Sequence, residues 1–160
     1  MNSTQVSRIL DEEHRSNLDL LGKIEQAMAR TPRFDPALGA LLGQLAHGME
    51  HEVDRHFRFE EEQLFPRMTE AGDGGMAGLL TEEHEAIREV TGELLPLTRL
   101  AVQGTIDEAG WSTLRRTALE LVERLVSHIQ KETMALLPLL DDMLDAETDR
   151  ELAFAYSAED

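Results

Sequence analysis

Two stretches of the sequence repeat one pattern of histidine and glutamate residues. Each copy has an E-E-H triplet, a gap of about forty residues, and then H-x-x-x-E, which leads to two apolar residues and a proline. The triplets begin 70 residues apart, at 12 and 82, and the later segments begin 72 apart, at 56 and 128. Side chains four residues apart share one face of a helix, so each half can direct its donors to one centre. The metal ligands that this pattern predicts are His14, His56, Glu60, His84, His128 and Glu132.

Imidazole and carboxylate donors determine which metals such a centre would bind. They suit iron, manganese or zinc, and the chain has no cysteine that could add a thiolate. Six protein ligands are too many for one tetrahedral zinc ion. Two ions fit better if Glu60 and Glu132 bridge them, since each ion then has two histidines and four protein ligands. That arrangement leaves positions for a bridging oxygen and a small exogenous ligand.

Four long amphipathic helices are predicted to carry these residues. Apolar residues recur at helical spacing, Leu, Ala, Glu and Arg are abundant, and alternating strand patterns are nearly absent. Prolines and glycines separate the helices. The predicted spans of the four helices are Thr4–Arg30, Pro36 or Ala37 to Thr69, Met76–Val102 and Trp111–Met143. Within and between them, the sequence predicts a loosened turn at Pro66, a loop at 71–75 and a bend at Pro96. A short helix is predicted at Ala146–Tyr156, followed by fraying from Ser157 to Asp160. Short connections favour an all-α, up-down-up-down bundle in a single domain, 1–160.

Composition limits the partners and the location. The net charge of −17 argues against nucleic acid and anionic membranes as partners, and no run of apolar residues is long enough to span a bilayer. The N-terminus has no apolar signal region, so we expect a cytoplasmic protein. The expected partner is a small molecule, whereas a protein partner and the oligomeric state stay open.

The doubled motif resembles the hemerythrin-like proteins of the HHE cation-binding type, over about 125 residues. The resemblance lies in His14, H-F-R-F-E-E-E-Q-L-F-P at 56–66, E-E-H at 82–84 and H-I-Q-K-E-T-M-A-L-L-P at 128–138. It implies a four-helix bundle around two non-heme iron ions with a bridging oxo or hydroxo group, held by the six residues named above with both glutamates bridging. It also implies binding or sensing of oxygen, nitric oxide or peroxide, or a role in iron homeostasis.

Departures from the oxygen-carrying hemerythrins bear on function. Those carriers have a histidine pair four residues apart on the third helix, whereas Leu80 and Arg88 flank His84 at that spacing. They also have His-x4-Asp on the last helix, where this chain has Thr133. A more open iron favours sensing or redox turnover. Two alternatives are a di-iron redox enzyme, catalase-like or reducing nitric oxide, and a metal-stabilised helical interaction module. Ferritin-type bundles need Glu-x-x-His, which no histidine here provides.

Several neighbouring residues receive other predicted roles. His47 and His51 lie about 180° and 140° around the helix from His56 and are predicted not to be ligands. Glu61 and Glu62 rotate off the face of Glu60 and are predicted to be solvated. One polar layer is predicted from Leu18, Glu52, Arg88 and Arg124, as a salt-bridge cluster, a polar entrance or outward-facing side chains. Predicted core residues are Phe57, Phe59, Leu64, Phe65, Met68 and Met134.

Overall fold

Helices make up almost all of residues 3–158, the part of the chain that the computed structural model describes, and this part contains no β-strand. Five helices follow one another within it, each too short or too polar to span a bilayer. In order they are α1 (Gln5–Arg30), α2 (39–70), α3 (Gly74–Gln103), α4 (108–143) and α5 (Ala146–Ala158). A 3₁₀ turn, Pro36–Leu38, leads into α2. The predicted all-α class with a short C-terminal helix is confirmed.

The fourth helix begins earlier than the sequence predicts. The spacing predicts a start at Trp111, whereas α4 begins at Glu108. Asp107 precedes it in an extended conformation, and its carboxylate accepts a hydrogen bond from the Gly110 N–H at 2.7 Å. Such a cap satisfies an amide that the helix leaves unpaired. The helix therefore gains a stable turn ahead of Trp111.

The turn before α3 and the C-terminal tail are both more helical than the sequence predicts. Helix α3 starts at Gly74 rather than Met76, so the turn narrows to 71–73 around Gly72, whose φ of 98° suits a residue without a Cβ. At the C-terminus, α5 includes Ser157, for which fraying is predicted. Contacts of the preceding residue hold this last turn in place, as described below. Residues 159 and 160, the rest of the predicted frayed segment, lie outside the described residues.

Two turns of π-helix occur at the same place in each half of the sequence. They are Glu60–Leu64 in α2 and Glu132–Leu136 in α4, and in each the following N–H donates to the carbonyl five residues earlier. Pro66 and Pro138 come directly after that donor. A proline has no N–H and collides with the carbonyl four residues before it, so the wider turn relieves a conflict that a regular helix would meet. The loosened turn predicted at Pro66 is this π turn, and α2 continues through it to residue 70. A further π turn, Glu52–His56, has no such proline.

The buried apolar residues form two clusters at opposite ends of the long helices. The first cluster includes Leu21, Ile24, Met28, Leu42, Leu45, Met49, Ile87, Val90, Leu94, Leu114, Leu121 and Leu125. The second includes Val6, Leu10, Leu64, Phe65, Met68, Ala77, Leu80, Leu136, Leu140 and Tyr156. Each long helix contributes to both clusters, and its predicted metal-binding residues lie at the level where its two contributions meet. The polar centre is therefore enclosed by apolar layers above and below.

The last helix is anchored on the start of the first. The Asp149 carboxylate accepts hydrogen bonds from the N–H groups of Gln5 and Val6, both at 2.9 Å. On α4, Asp141 accepts from the N–H of Thr4 at 2.8 Å. The first amides of a helix have no partner within it and carry partial positive charge, so both carboxylates stabilise α1. This anchoring brings α5 alongside the residues of α1 that face the polar centre.

Candidate metal centre

The six predicted ligands converge in the middle of the molecule. Each is at most 1 % exposed, although all are polar or charged. They form two groups, and within each group one donor atom per residue lies within 4.8 Å of the others. The first group consists of His14, His56, Glu60 and Glu132, and the second of Glu60, His84, His128 and Glu132. The two glutamates are common to both groups.

Each glutamate directs one oxygen to each group. In the first group, Glu132 Oε1 lies 3.0 Å from His14 Nε2, and Glu60 Oε2 lies 3.1 Å from His56 Nε2. The second group uses the other two oxygens. Glu60 Oε1 lies 3.2 Å from His84 Nε2, and Glu132 Oε2 lies 3.1 Å from His128 Nε2. This is the arrangement that a bridging carboxylate requires.

Each imidazole has a second partner on its outer side, through Nδ1. The four contacts are His14 with Thr133 (3.3 Å), His56 with Glu13 (2.8 Å), His84 with Glu61 (2.7 Å) and His128 with Glu83 (2.8 Å). A carboxylate can only accept, so with a cation bound at Nε2 the protonated nitrogen of these three rings would be Nδ1. The inward Nε2 then offers a lone pair, and the outer contact fixes the ring's orientation, as in metal-binding histidines generally.

The electrostatics of the centre favour positive charge. Burial opposes protonation of His84, but Glu132 and Glu60 outweigh it and raise the pKa of His84 to about 9. Burial also opposes ionisation of Glu132, yet the neighbouring His128 holds the pKa of that carboxyl well below its usual range. Glu60 Oε1 and Glu132 Oε2 are buried and accept no hydrogen bond from the described residues. Cations would supply the charge and the partners that these oxygens lack, so the residues fit a metal site.

A comparison with protein families bears on the same region. The family model for the hemerythrin HHE cation-binding domain matches residues 5–140, most of the chain. The chain belongs to the hemerythrin HHE cation-binding family. No curated protein matches the sequence. The match to the HHE family confirms the resemblance given by the doubled motif, and it ends before α5, so the last helix lies outside the matched region.

Glu13 and Glu83, to which the sequence alone assigned no role, are outer partners of candidate ligands. Glu13 and Glu83 are the second acidic residues of the two E-E-H triplets, and each binds the imidazole from the H-x-x-x-E segment of its own half. Their repetition at matching positions is the signal that could have identified them. Hydrogen bonds from His56 outweigh the effect of burial on Glu13 and lower its pKa to about 2, so this carboxylate is ionised.

Glu61 is not the solvated residue that the sequence predicts. Its carboxylate accepts from His84 at 2.7 Å and from both terminal nitrogens of Arg88, at 2.8 and 2.9 Å. A residue directly after Glu60 lies about 100° around the helix, and in this structure that direction leads to α3 rather than to solvent. Glu62, one residue further, is exposed as predicted.

Of the roles predicted for the layer around Glu52, the salt-bridge cluster does not form, whereas Arg124 faces outward. Arg88 pairs with Glu61 instead, and Arg124 pairs with Glu120 of its own helix at 2.9 Å on the surface. Glu52 is 1 % exposed and accepts a hydrogen bond from Asn17 Nδ2 at 2.5 Å. Burial raises the pKa of Glu52, which favours the neutral acid. Because Arg88 and Arg124 pair with Glu61 and Glu120, Glu52 accepts its hydrogen bond from Asn17 instead.

The two remaining histidines lie outside the groups of candidate ligands. His47 is exposed. His51 is about one-third exposed, and its Nε2 lies 3.2 Å from Glu13 Oε2. His51 therefore contacts a partner of His56 rather than the centre itself. Neither residue belongs to the two groups that share the glutamates.

Aromatic residues wall the centre, largely as the sequence predicts. Phe57 is fully buried, and its ring stacks on that of His84 with centroids 3.7 Å apart. Phe65 lies 5.3 Å from the same imidazole. The other predicted core residues Phe59, Leu64 and Met68 are also buried. Met134 is an exception at 81 % exposed, because it lies two residues, about 200°, from the inward-facing Glu132.

Proposed function

We propose that this protein binds two non-heme iron ions and uses them to bind or sense a small ligand such as oxygen, nitric oxide or peroxide, or in iron homeostasis. One observation carries the proposal: Glu60 and Glu132 each direct one oxygen to the pair His14 and His56 and the other to the second histidine pair. Two cations, one beside each pair, would have two nitrogens and two carboxylate oxygens each.

The donor set supports iron over softer metals. It consists of nitrogen and oxygen atoms, without sulfur, and manganese or zinc would fit the same set. Membership of the HHE family supports cation binding, and the hemerythrin resemblance favours iron. When bound, a pair of iron ions would supply open coordination positions and one-electron redox chemistry. The protein residues hold Nε2 of each ring inward, and the outer carboxylates would keep Nδ1 of His56, His84 and His128 protonated.

The burial of the centre supports a small ligand. All six candidate ligands are at most 1 % exposed, and Phe57 and Phe65 cover the second pair. A bulky organic substrate could reach the ions only after a large rearrangement of the helices. Diatomic molecules and peroxide need far less space, and the apolar walls would exclude bulk water from them.

We also propose that the four long helices form an up-down-up-down bundle. The order in which each helix meets the two apolar clusters supports this. Along the chain, α1 passes from the second cluster to the first, α2 from the first to the second, and α3 and α4 repeat this alternation. Adjacent helices that run in opposite directions give such an order.

Metal analysis of the purified protein tests the proposal. The expected result is about two iron ions per chain after aerobic loading, with visible absorption that changes when nitric oxide or peroxide is added. Double replacement of the shared carboxylates, Glu60→Gln with Glu132→Gln, should abolish loading. The matched control is His47→Ala, an exposed histidine on the same helix as Glu60. A parent protein that binds no iron, or binds it equally well without both carboxylates, would refute the proposal.

A further inference from the structure

The only tyrosine of the chain reaches the outer partner of a candidate ligand. Tyr156, on α5, donates its hydroxyl hydrogen to Glu13 Oε1 at 2.6 Å. The same oxygen accepts the Nδ1–H of His56 at 2.8 Å. A continuous chain of hydrogen bonds therefore runs from the phenol through the carboxylate to the imidazole, whose Nε2 faces the centre.

The phenol is held firmly in this position. Tyr156 is 3 % exposed, and its ring packs on Phe59 with centroids 4.7 Å apart. The Arg55 guanidinium lies 4.8 Å above the ring and also donates to the Tyr156 carbonyl. At the other end of α5, Asp149 binds the first amides of α1. Contacts at both ends of α5 therefore fix the position of the Tyr156 hydroxyl group.

The second half of the molecule has a different group at the matching place. Glu83, the counterpart of Glu13, accepts from His128 Nδ1 at 2.8 Å, and its other oxygen binds the ammonium group of Lys131. Tyr156 plays the corresponding part in the first half, but it comes from a helix beyond the matched HHE region, 5–140. The two histidine pairs are therefore supported by unlike groups.

We propose that Tyr156 is a positioning residue for the first histidine pair, and this inference rests on the proposed metal site. A phenol that donates to Glu13 draws charge from the carboxylate and makes it a weaker acceptor for His56. The strength of such an outer acceptor controls how strongly an imidazole donates electrons to its metal. Tyr156 thereby orients His56 and limits its electron donation to the ion bound there.

The substitution Tyr156→Phe removes the hydroxyl and keeps the ring, so it isolates this effect. In the full chain loaded with ⁵⁷Fe, Glu13 becomes the stronger acceptor and His56 the stronger donor. The reduction potential should fall, so that at the parent's midpoint less than half of that iron is reduced. Mössbauer spectra should show a change in one of the two iron signals. Lys131→Gln, the matched variant in the other half, should change the other signal.

Two further variants separate this role from a purely structural one. Leu152→Ala removes buried packing from α5 without touching Glu13, so it should lower the melting temperature and leave the potential unchanged. In a Glu13→Ala background, Tyr156→Phe should not change the potential further, because the acceptor that joins the phenol to His56 is gone. A Tyr156→Phe protein with the parent potential and both parent signals would overturn the inference, as would an equal shift in Leu152→Ala. A parent that binds no iron would overturn the proposed function and this inference together.

Discussion

Removal of the metal should strongly lower the thermal stability of the protein. Four imidazoles and two carboxylates meet in a buried layer, and cations bind this folded arrangement far better than the unfolded chain. An ion present at 100 times its dissociation constant adds about 2.7 kcal/mol to the free energy of unfolding. Two such ions add about 5 kcal/mol. For a chain of 160 residues this should raise the melting temperature by roughly 10–20 °C.

The difference between the loaded and metal-free proteins should also grow as the pH rises. Without metal, the folded state raises the pKa of His84 to about 9 from an ordinary value of 6.5. A raised pKa contributes stability that is fully present below pH 6.5 and is lost as the pH rises through about 9. At about 1.4 kcal/mol per pH unit, this loss amounts to about 3 kcal/mol for one histidine. The loaded protein holds cations there instead of protons, so it should not share the loss.

Paired thermal melts followed by circular dichroism measure both effects. The loaded and chelated proteins are compared at pH 6.5, 7.5 and 8.5 at constant ionic strength. Parallel melts of Glu60→Gln with Glu132→Gln should show little difference between loaded and chelated samples, whereas His47→Ala should behave like the parent. Coincident parent melts at every pH would contradict the reasoning, since the cluster would then not be a metal site.

Three further substitutions test individual contacts. His47→Ala and His51→Ala should each keep the full iron content in metal analysis. Loss of iron from either variant would show that the replaced histidine contributes to metal binding. Glu61→Gln should weaken metal binding about tenfold in a chelator competition, because His84 loses its charged outer partner, and unchanged binding would refute that role. Asp149→Ala should lower the free energy of unfolding, measured in urea, by about 1–2 kcal/mol because α1 loses its cap. An unchanged urea midpoint would show that this cap does not stabilise the protein.

The doubled motif is strong enough to predict which residues meet. His14 and His84 are distant in sequence from the H-x-x-x-E segments, but their repeated spacing places all four histidines and both glutamates at one level of the helices. Helix type and approximate bounds follow from composition and from the prolines and glycines between helices. These features are local or periodic, and sequence reasoning handles both well.

Contacts that depend on a neighbouring helix could not be predicted in the same way. The helical position of Glu61 shows only that it leaves the face of Glu60, and not that α3 brings His84 and Arg88 within reach. Several long polar side chains could reach Glu52 from neighbouring helices in the sequence-based layer, but it is Asn17 that lies within hydrogen-bond distance. The choice among such partners depends on differences of a few ångströms between helix axes.

Tyr156 shows the same limitation at the end of the chain. It lies more than 140 residues from Glu13, outside both copies of the motif. Its contact depends on the docking of α5 against α1, which Asp149 directs through the first amides of α1. Nothing periodic in the sequence relates these residues to one another.

The most direct test of the proposed two-metal centre is a crystal structure of the iron-loaded protein, with anomalous diffraction measured at the iron edge. Two anomalous peaks are expected, one beside Nε2 of His14 and His56 and the other beside Nε2 of His84 and His128. Glu60 and Glu132 should each place one oxygen about 2 Å from each peak. A single peak, or either glutamate more than about 3 Å from one of the ions, would contradict the carboxylate-bridged centre.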